Sequence, residues 1–106
     1  MREPTKIVKK ELWKLNELAY QRELSAALEK LIRELAAWKN GKKEIFDVVQ
    51  YIHEFHDGTA RDLYKRYVLL RNPLATVSMA LEEGVLDRAE ITEEVGKFLG
   101  LTAELR

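Results

Sequence analysis

Apolar side chains recur along this chain at spacings of three and four, the rhythm of one face of an α-helix. From Thr5 to Lys39 no glycine or proline interrupts it, and Leu24, Leu28, Leu31, Leu35 and Trp38 form one stripe among residues that favour the helix. Val8, Leu12, Leu15 and Leu18 or Ala19 form an earlier stripe, but its continuation reaches Arg22 and the pattern restarts out of phase at Leu24. The pattern predicts a long N-terminal helix, with a bend, stutter or break admitted near Asn16 to Ser25. Left continuous, that helix would run about 50 Å at 1.5 Å per residue, against about 30 to 35 Å for a compact domain of this size. It would then overhang and expose leucine and tryptophan side chains, which calls for either a kink or a partner chain.

Asn40-Gly41 is the expected stop, because glycine adopts the left-handed conformation that closes a helix. A second helix, Lys43 to His56, places Ile45, Val48, Val49, Ile52 and His56 on one stripe and Asp47, Gln50, Glu54 and Asp57 on another. Gly58 should end it, with Thr59 capping a third helix through a box-like pair with Asp62. That helix aligns Ala60, Leu63, Tyr64, Tyr67 and Leu70. Asn72-Pro73 opens a fourth, which turns Leu74, Val77, Ser78 and Leu81 inward and stops at Gly84. Val85 and Leu86 follow as core anchors, and Thr92 caps a short last helix to Leu99, closed by Gly100. Gly96, inside that helix, is expected to permit close packing. With no strand pattern and no repeat, the fold class is all-α: about five helices in a single domain over residues 1–106, a long first helix packed on a bundle of shorter ones.

Composition narrows the function. The chain has 106 residues and no cysteine, which removes disulfides, thiolate nucleophiles and cysteine-based zinc sites and suits a reducing cytoplasm. The first residues begin no secretory signal, since Lys9, Lys10 and Glu11 interrupt the first apolar run, and no run is long enough to span a bilayer. Eighteen lysines and arginines balance eighteen acids, so nucleic acid is not the expected partner. Lys6, Lys9, Lys10 and Lys14, and Lys39, Lys42 and Lys43, are read as solvated faces with glutamates as neighbours. Ser25 and Ser78 are the only serines and neither sits in a nucleophile elbow. The helix from Leu74 to Glu83 offers Thr76 and Ser78 but no arginine, lysine, asparagine or glutamine for base edges.

The suggestive chemistry is confined to Ile52–Gly58, I-H-E-F-H-D-G, which holds both histidines. His53 and His56 are three apart and share one side of a helix. The zinc protease signature needs histidines four apart, and the di-iron pattern needs Glu-x-x-His; Gln50 stands where that glutamate would be. A divalent metal, the one cofactor considered, would use His53, His56 and Asp57, with Glu54 or a second chain completing the shell. Arg61 would turn back onto Asp57 or Glu54, as a lock between helices or as part of a small anion pocket. The preferred reading is structural: histidines in a last helical turn suit the negative end of the dipole, and His53, beside Phe46 and Val49, would be a half-buried ring. No catalytic residue is assigned.

The run I-H-E-F-H-D-G-T-A-R-D-L-Y-K-R-Y, Ile52 to Tyr67, with the later G-V-L-D-R turn from Gly84 to Arg88 and Glu93 and Glu94 beyond it, resembles a small family of uncharacterised bacterial helical proteins also carried on mobile integron gene cassettes. The resemblance implies a long first helix and a short acidic last one, and no activity. The expectation is a small cytoplasmic helical protein that binds itself, as a homodimer, or another protein, through Trp13, Tyr20, Leu24, Leu28, Leu31, Leu35 and Trp38, because aromatic anchors concentrate at interface centres. The alternative is a metal-dependent or acid-base enzyme built on His53, Glu54, His56 and Asp57 with Arg61 as clamp.

Overall fold

The computed structural model describes residues 4–100. It is helical throughout, without strands among those residues, as the periodicity predicts. The first helix, α1 (Lys6–Lys39), is capped by Thr5, whose hydroxyl accepts from the Val8 amide at 3.2 Å. It is unbroken across Asn16 to Ser25, where the sequence pattern allows a break. Its far end closes on Gly41 at φ 75°, with Lys42 N–H donating to the Ala37 carbonyl and Gly41 N–H to that of Trp38, the paired bonds of a left-handed helix stop.

The chain divides into two compact units, the boundary falling between Ala19 and Tyr20 inside α1 and again after Leu70. This explains the phase shift without a break. Val8, Leu12, Leu15 and Ala19 are buried in one unit, and the stripe that restarts at Leu24 belongs to the other.

In the second unit α2 (Ile45–Glu54) does not end at Gly58. The helical path continues through a π-helical turn (Phe55–Ala60), α3 (Arg61–Tyr64) and a second π turn (Lys65–Leu69), the Leu70 amide reaching the Lys65 carbonyl five residues back. Thr59 therefore caps nothing, and the expected junction between two helices is helix interior. The cause is register. A regular helix that buries Val48 and half-buries Phe55 would next turn residues 59, 62 and 66 inward, yet Ala60, Leu63 and Tyr67 carry the inward side chains. A π turn absorbs one extra residue. The described helical segments are thus four, with a 3₁₀ turn, because the second and third expected helices are one.

In the first unit Arg71, at φ 52°, ends this path. Asn72 then caps α4 (Pro73–Glu82), accepting from the Ala75 amide at 3.2 Å. The inward face of α4 is Thr76, Val77 and Ala80; Leu74 and Ser78, expected inside, are exposed. Gly84 closes α4, Leu86 anchors the core, and Asp87 and Glu90 form a capping box on a 3₁₀ turn (Arg88–Glu90). Thr92 caps α5 (Glu93–Phe98), which buries Val95 and Gly96. No helix among the described residues is long and apolar enough to cross a membrane.

Candidate functional site

The second unit is an antiparallel hairpin: α1 from Tyr20 onward, a short loop, and the path 45–69. Glu34 binds Lys43 near the tip, while Tyr20 stacks on Tyr67 at 5.3 Å between ring centres, 21° from parallel, at the base. There the Tyr67 hydroxyl donates to Glu23, which Arg66 approaches at 3.5 Å. Burial, followed by the bond to Glu23, pushes the Tyr67 hydroxyl well above its ordinary pKa.

Two helices cover only one side of each other, and this hairpin leaves much apolar surface open. Of fifteen large hydrophobic side chains exposed among the described residues, twelve lie between Leu28 and Leu70, which places the anomaly in one unit. Helix geometry places most of them on one face. In an antiparallel pair of right-handed helices, the residue that follows each inward-facing position turns to the same side of the pair on both helices. On α1 the inward Ala27, Leu31 and Glu34 are followed by Leu28, Ile32 and Leu35; on the second path Val48, Tyr51, Leu63 and Tyr67 are followed by Val49, Ile52, Tyr64 and Val68. All seven followers are exposed, Ile32 to 56 %. Ile45 extends the row, and Phe46, 81 % exposed, stands at its rim.

The expected interface residues divide accordingly. Leu28, Leu35 and Trp38 are exposed, Leu24 and Leu31 are half-buried beside them, and Tyr20 is committed to Tyr67. Trp13 belongs to the other unit, its ring 5.7 Å from the Arg71 guanidinium carbon. Sequence reasoning missed Ile45, Phe46, Val49 and Ile52 as surface. The signal was present: an apolar arc holding these four and Val48 is wider than one neighbouring helix covers.

His53, Glu54, His56, Asp57 and Arg61 are all exposed on the same path. His53 is exposed rather than half-buried, and the helix-end role is overturned because the helical path continues past it. His56 Nδ1 is 3.1 Å from Asp57 Oδ1, with both side chains more than two-thirds open. Gln50 donates to Glu54 at 3.1 Å. The His56 bond, then the charges of His56, Arg61 and His53, hold the Asp57 carboxyl below its usual pKa. Arg61 acts there by charge within one helical path, not as a lock between two helices. Among the described residues no three histidine, cysteine, aspartate or glutamate side chains converge as a metal site. Phe55 is inward-turned, so His56, its follower, lies in the row of Ile52 and Tyr64.

No family model, curated protein or solved structure matches the chain.

Proposed function

We propose that this chain is a helical interaction protein of the cytoplasm, acting by docking the open face of its hairpin onto another polypeptide. The observation that carries this reading is the single row of exposed apolar side chains, Leu28, Ile32 and Leu35 on α1 and Ile45, Val49 and Ile52 on α2. Soluble monomers rarely leave contiguous apolar patches beyond about 300 to 600 Å² uncovered. With Tyr64 and Val68 the row has eight such side chains, 36 to 56 % open, which together reach the upper part of that range and approach the roughly 800 Å² that one partner contributes to a standard interface. The kinship proposed for the 52–67 block sets no catalytic role against this. The enzyme alternative is less well supported, because its side chains stand in open water where charges are screened and a transition state gains little.

The test is the hydrodynamic size of the tagged full chain in fresh lysate, compared with the double variant Leu28→Glu/Val49→Glu. The wild type is expected above monomer size and the variant at monomer size with its helical circular dichroism retained. A wild-type chain that runs as a monomer in lysate would sink the proposal.

A further inference from the structure

We infer that the occupant of this face is an amphipathic helix of another polypeptide, its apolar stripe flanked on both sides by aspartate or glutamate; the inference rests on the docking reading above.

The shape of the face selects a helix. Packed helices lie about 8 to 10 Å apart, so the side of an antiparallel pair is a shallow groove between two ridges of side chains, here Leu28, Ile32 and Leu35 on one helix and Ile45, Val49 and Ile52 on the other. The N–H and C=O groups beneath those ridges are spent within their own helices, which leaves an extended segment nothing to bond its backbone to. A helix satisfies its own backbone and needs only an apolar stripe to fill such a groove. Seated there it touches both helices and completes a three-helix bundle around the row.

Charge selects the chemistry of that helix. Lys39 stands four residues beyond Leu35, one turn along the same face of α1, and Arg61 follows the inward-turned Ala60 on the other helix; both are exposed. They lie on opposite edges of the groove, one on each helix. His56 is the remaining polar member of the row, and no aspartate or glutamate follows an inward position. The carboxylates of the two helices lie elsewhere. Asp47, Glu54 and Asp62 precede inward positions and so turn to the opposite side of the hairpin. Glu34 is bound to Lys43 and Glu23 to Tyr67. Glu29 and Asp57 come two residues after Ala27 and Phe55, on the backs of the helices, where Asp57 is bonded to His56.

A second copy would bring the same two cations together with no carboxylate in the row to receive them. An anionic bilayer attracts basic clusters, whereas the eighteen basic residues of this chain are balanced by eighteen acids. A helix with acidic flanks needs only the local pairing that Lys39 and Arg61 offer on the two edges.

Two synthetic peptides of about 18 residues, about 27 Å long as helices, test this. They share one stripe of leucine and isoleucine and differ only in flanking it with glutamate or with lysine. Binding to the full chain is read by fluorescence anisotropy, beside the variants Lys39→Gln/Arg61→Gln and Leu28→Ser/Val49→Ser, which alter exposed side chains and are first shown by circular dichroism to keep their helicity. The glutamate peptide is expected to bind the wild type about ten-fold more tightly than the lysine peptide. That preference should vanish in Lys39→Gln/Arg61→Gln, and Leu28→Ser/Val49→Ser should bind neither peptide. Equal binding of the two peptides, tighter binding of the lysine peptide, or a preference that survives in Lys39→Gln/Arg61→Gln overturns the acidic helix; the docking reading still stands if that binding is lost in Leu28→Ser/Val49→Ser. Binding of neither peptide also overturns it: a purified chain that sediments as a dimer then makes a second copy the occupant, co-sedimentation with phosphatidylcholine vesicles containing phosphatidylserine makes it a bilayer, and an oversized form in lysate alone keeps the docking reading with another partner. If neither peptide binds and the lysate form is monomeric, both fail.

Discussion

The Tyr67 hydroxyl donates to the Glu23 carboxylate across the hairpin, joining α1 to the far end of the helical path that begins at Ile45. Tyr67 is 3 % exposed, and a hydrogen bond to a charged acceptor is worth about 1.5 to 3 kcal/mol. Tyr67→Phe is expected to lose an amount toward the lower end of that range, because Arg66 still approaches Glu23. The loss also has a pH signature. An unfolded tyrosine ionises near 10.0, and the native one only above that. The native state therefore holds more protons than the unfolded state once the pH passes 10, and stability falls there as pH rises. Below pH 10 this contribution is fully present. Denaturant unfolding of wild type and Tyr67→Phe from pH 7 to pH 11 should show the gap between them narrowing above pH 10; a constant gap would refute the assignment.

Gly58 is expected to behave unlike the glycines at helix ends. It lies in a right-handed π turn, and a Cβ added there meets nothing within 4 Å. Gly41 and Gly84 sit at φ 75° and 80°, where a side chain is strained. Gly58→Ala should raise the unfolding free energy by about 0.5 to 1 kcal/mol, and Gly41→Ala should lower it by a similar amount or more. Thermal melts of the two variants beside wild type decide it. A destabilised Gly58→Ala would mean that the helix does break at this residue.

The same glycine shows what could be read in advance. Gly41, Gly84 and Gly100 end helices as their neighbours imply, and Asn72, Asp87 and Thr92 cap where short polar side chains precede apolar runs. These are local effects, written within a few residues. Gly58 carries the same local mark, but Phe55, Ala60, Leu63 and Tyr67 all find cover against α1 if one residue is absorbed without breaking the helix. That decision belongs to packing, and no short window records it. The phase shift at Leu24 was legible as a discontinuity and not as its cause, since a change of compact unit and a bend leave the same mark. His53 and His56 drew attention by residue type. The open face of α2 consists of ordinary isoleucine, valine and phenylalanine, which look like core until the number of covering helices is known.

Asn16 and Thr76 test whether the buried polar pair in the first unit is coupled. Thr76 is fully buried and its hydroxyl donates to Asn16 Oδ1, itself in a residue 6 % exposed. Removing one partner in such a place costs about 1 to 3 kcal/mol, and removing both costs less than the sum. A double-mutant cycle of Asn16→Ala and Thr76→Val by urea unfolding should give a coupling of about 0.5 to 1.5 kcal/mol. Additive effects would show that the two side chains act independently.

The Asp57 carboxyl offers the most direct reading of the candidate cluster. Its pKa lies below the ordinary 3.8, first through the hydrogen bond to His56 and then through the charges of His56, Arg61 and His53. A carboxylate depressed in the native state contributes stability that is present above pH 3.8 and lost as the pH falls through its native value. Replacing His56 removes the largest cause, so in His56→Ala the carboxyl-carbon titration of Asp57, followed by NMR, should move up toward 3.8. About 1 M salt should move the wild-type midpoint the same way, because exposed charges more than about 3 Å apart are then screened. Helical circular dichroism should be unchanged in the variant, since both side chains are mostly open to solvent. If the midpoint stays low in both conditions, something other than His56 and its neighbouring charges holds the carboxylate, and the cluster is more enclosed than a lone hairpin makes it.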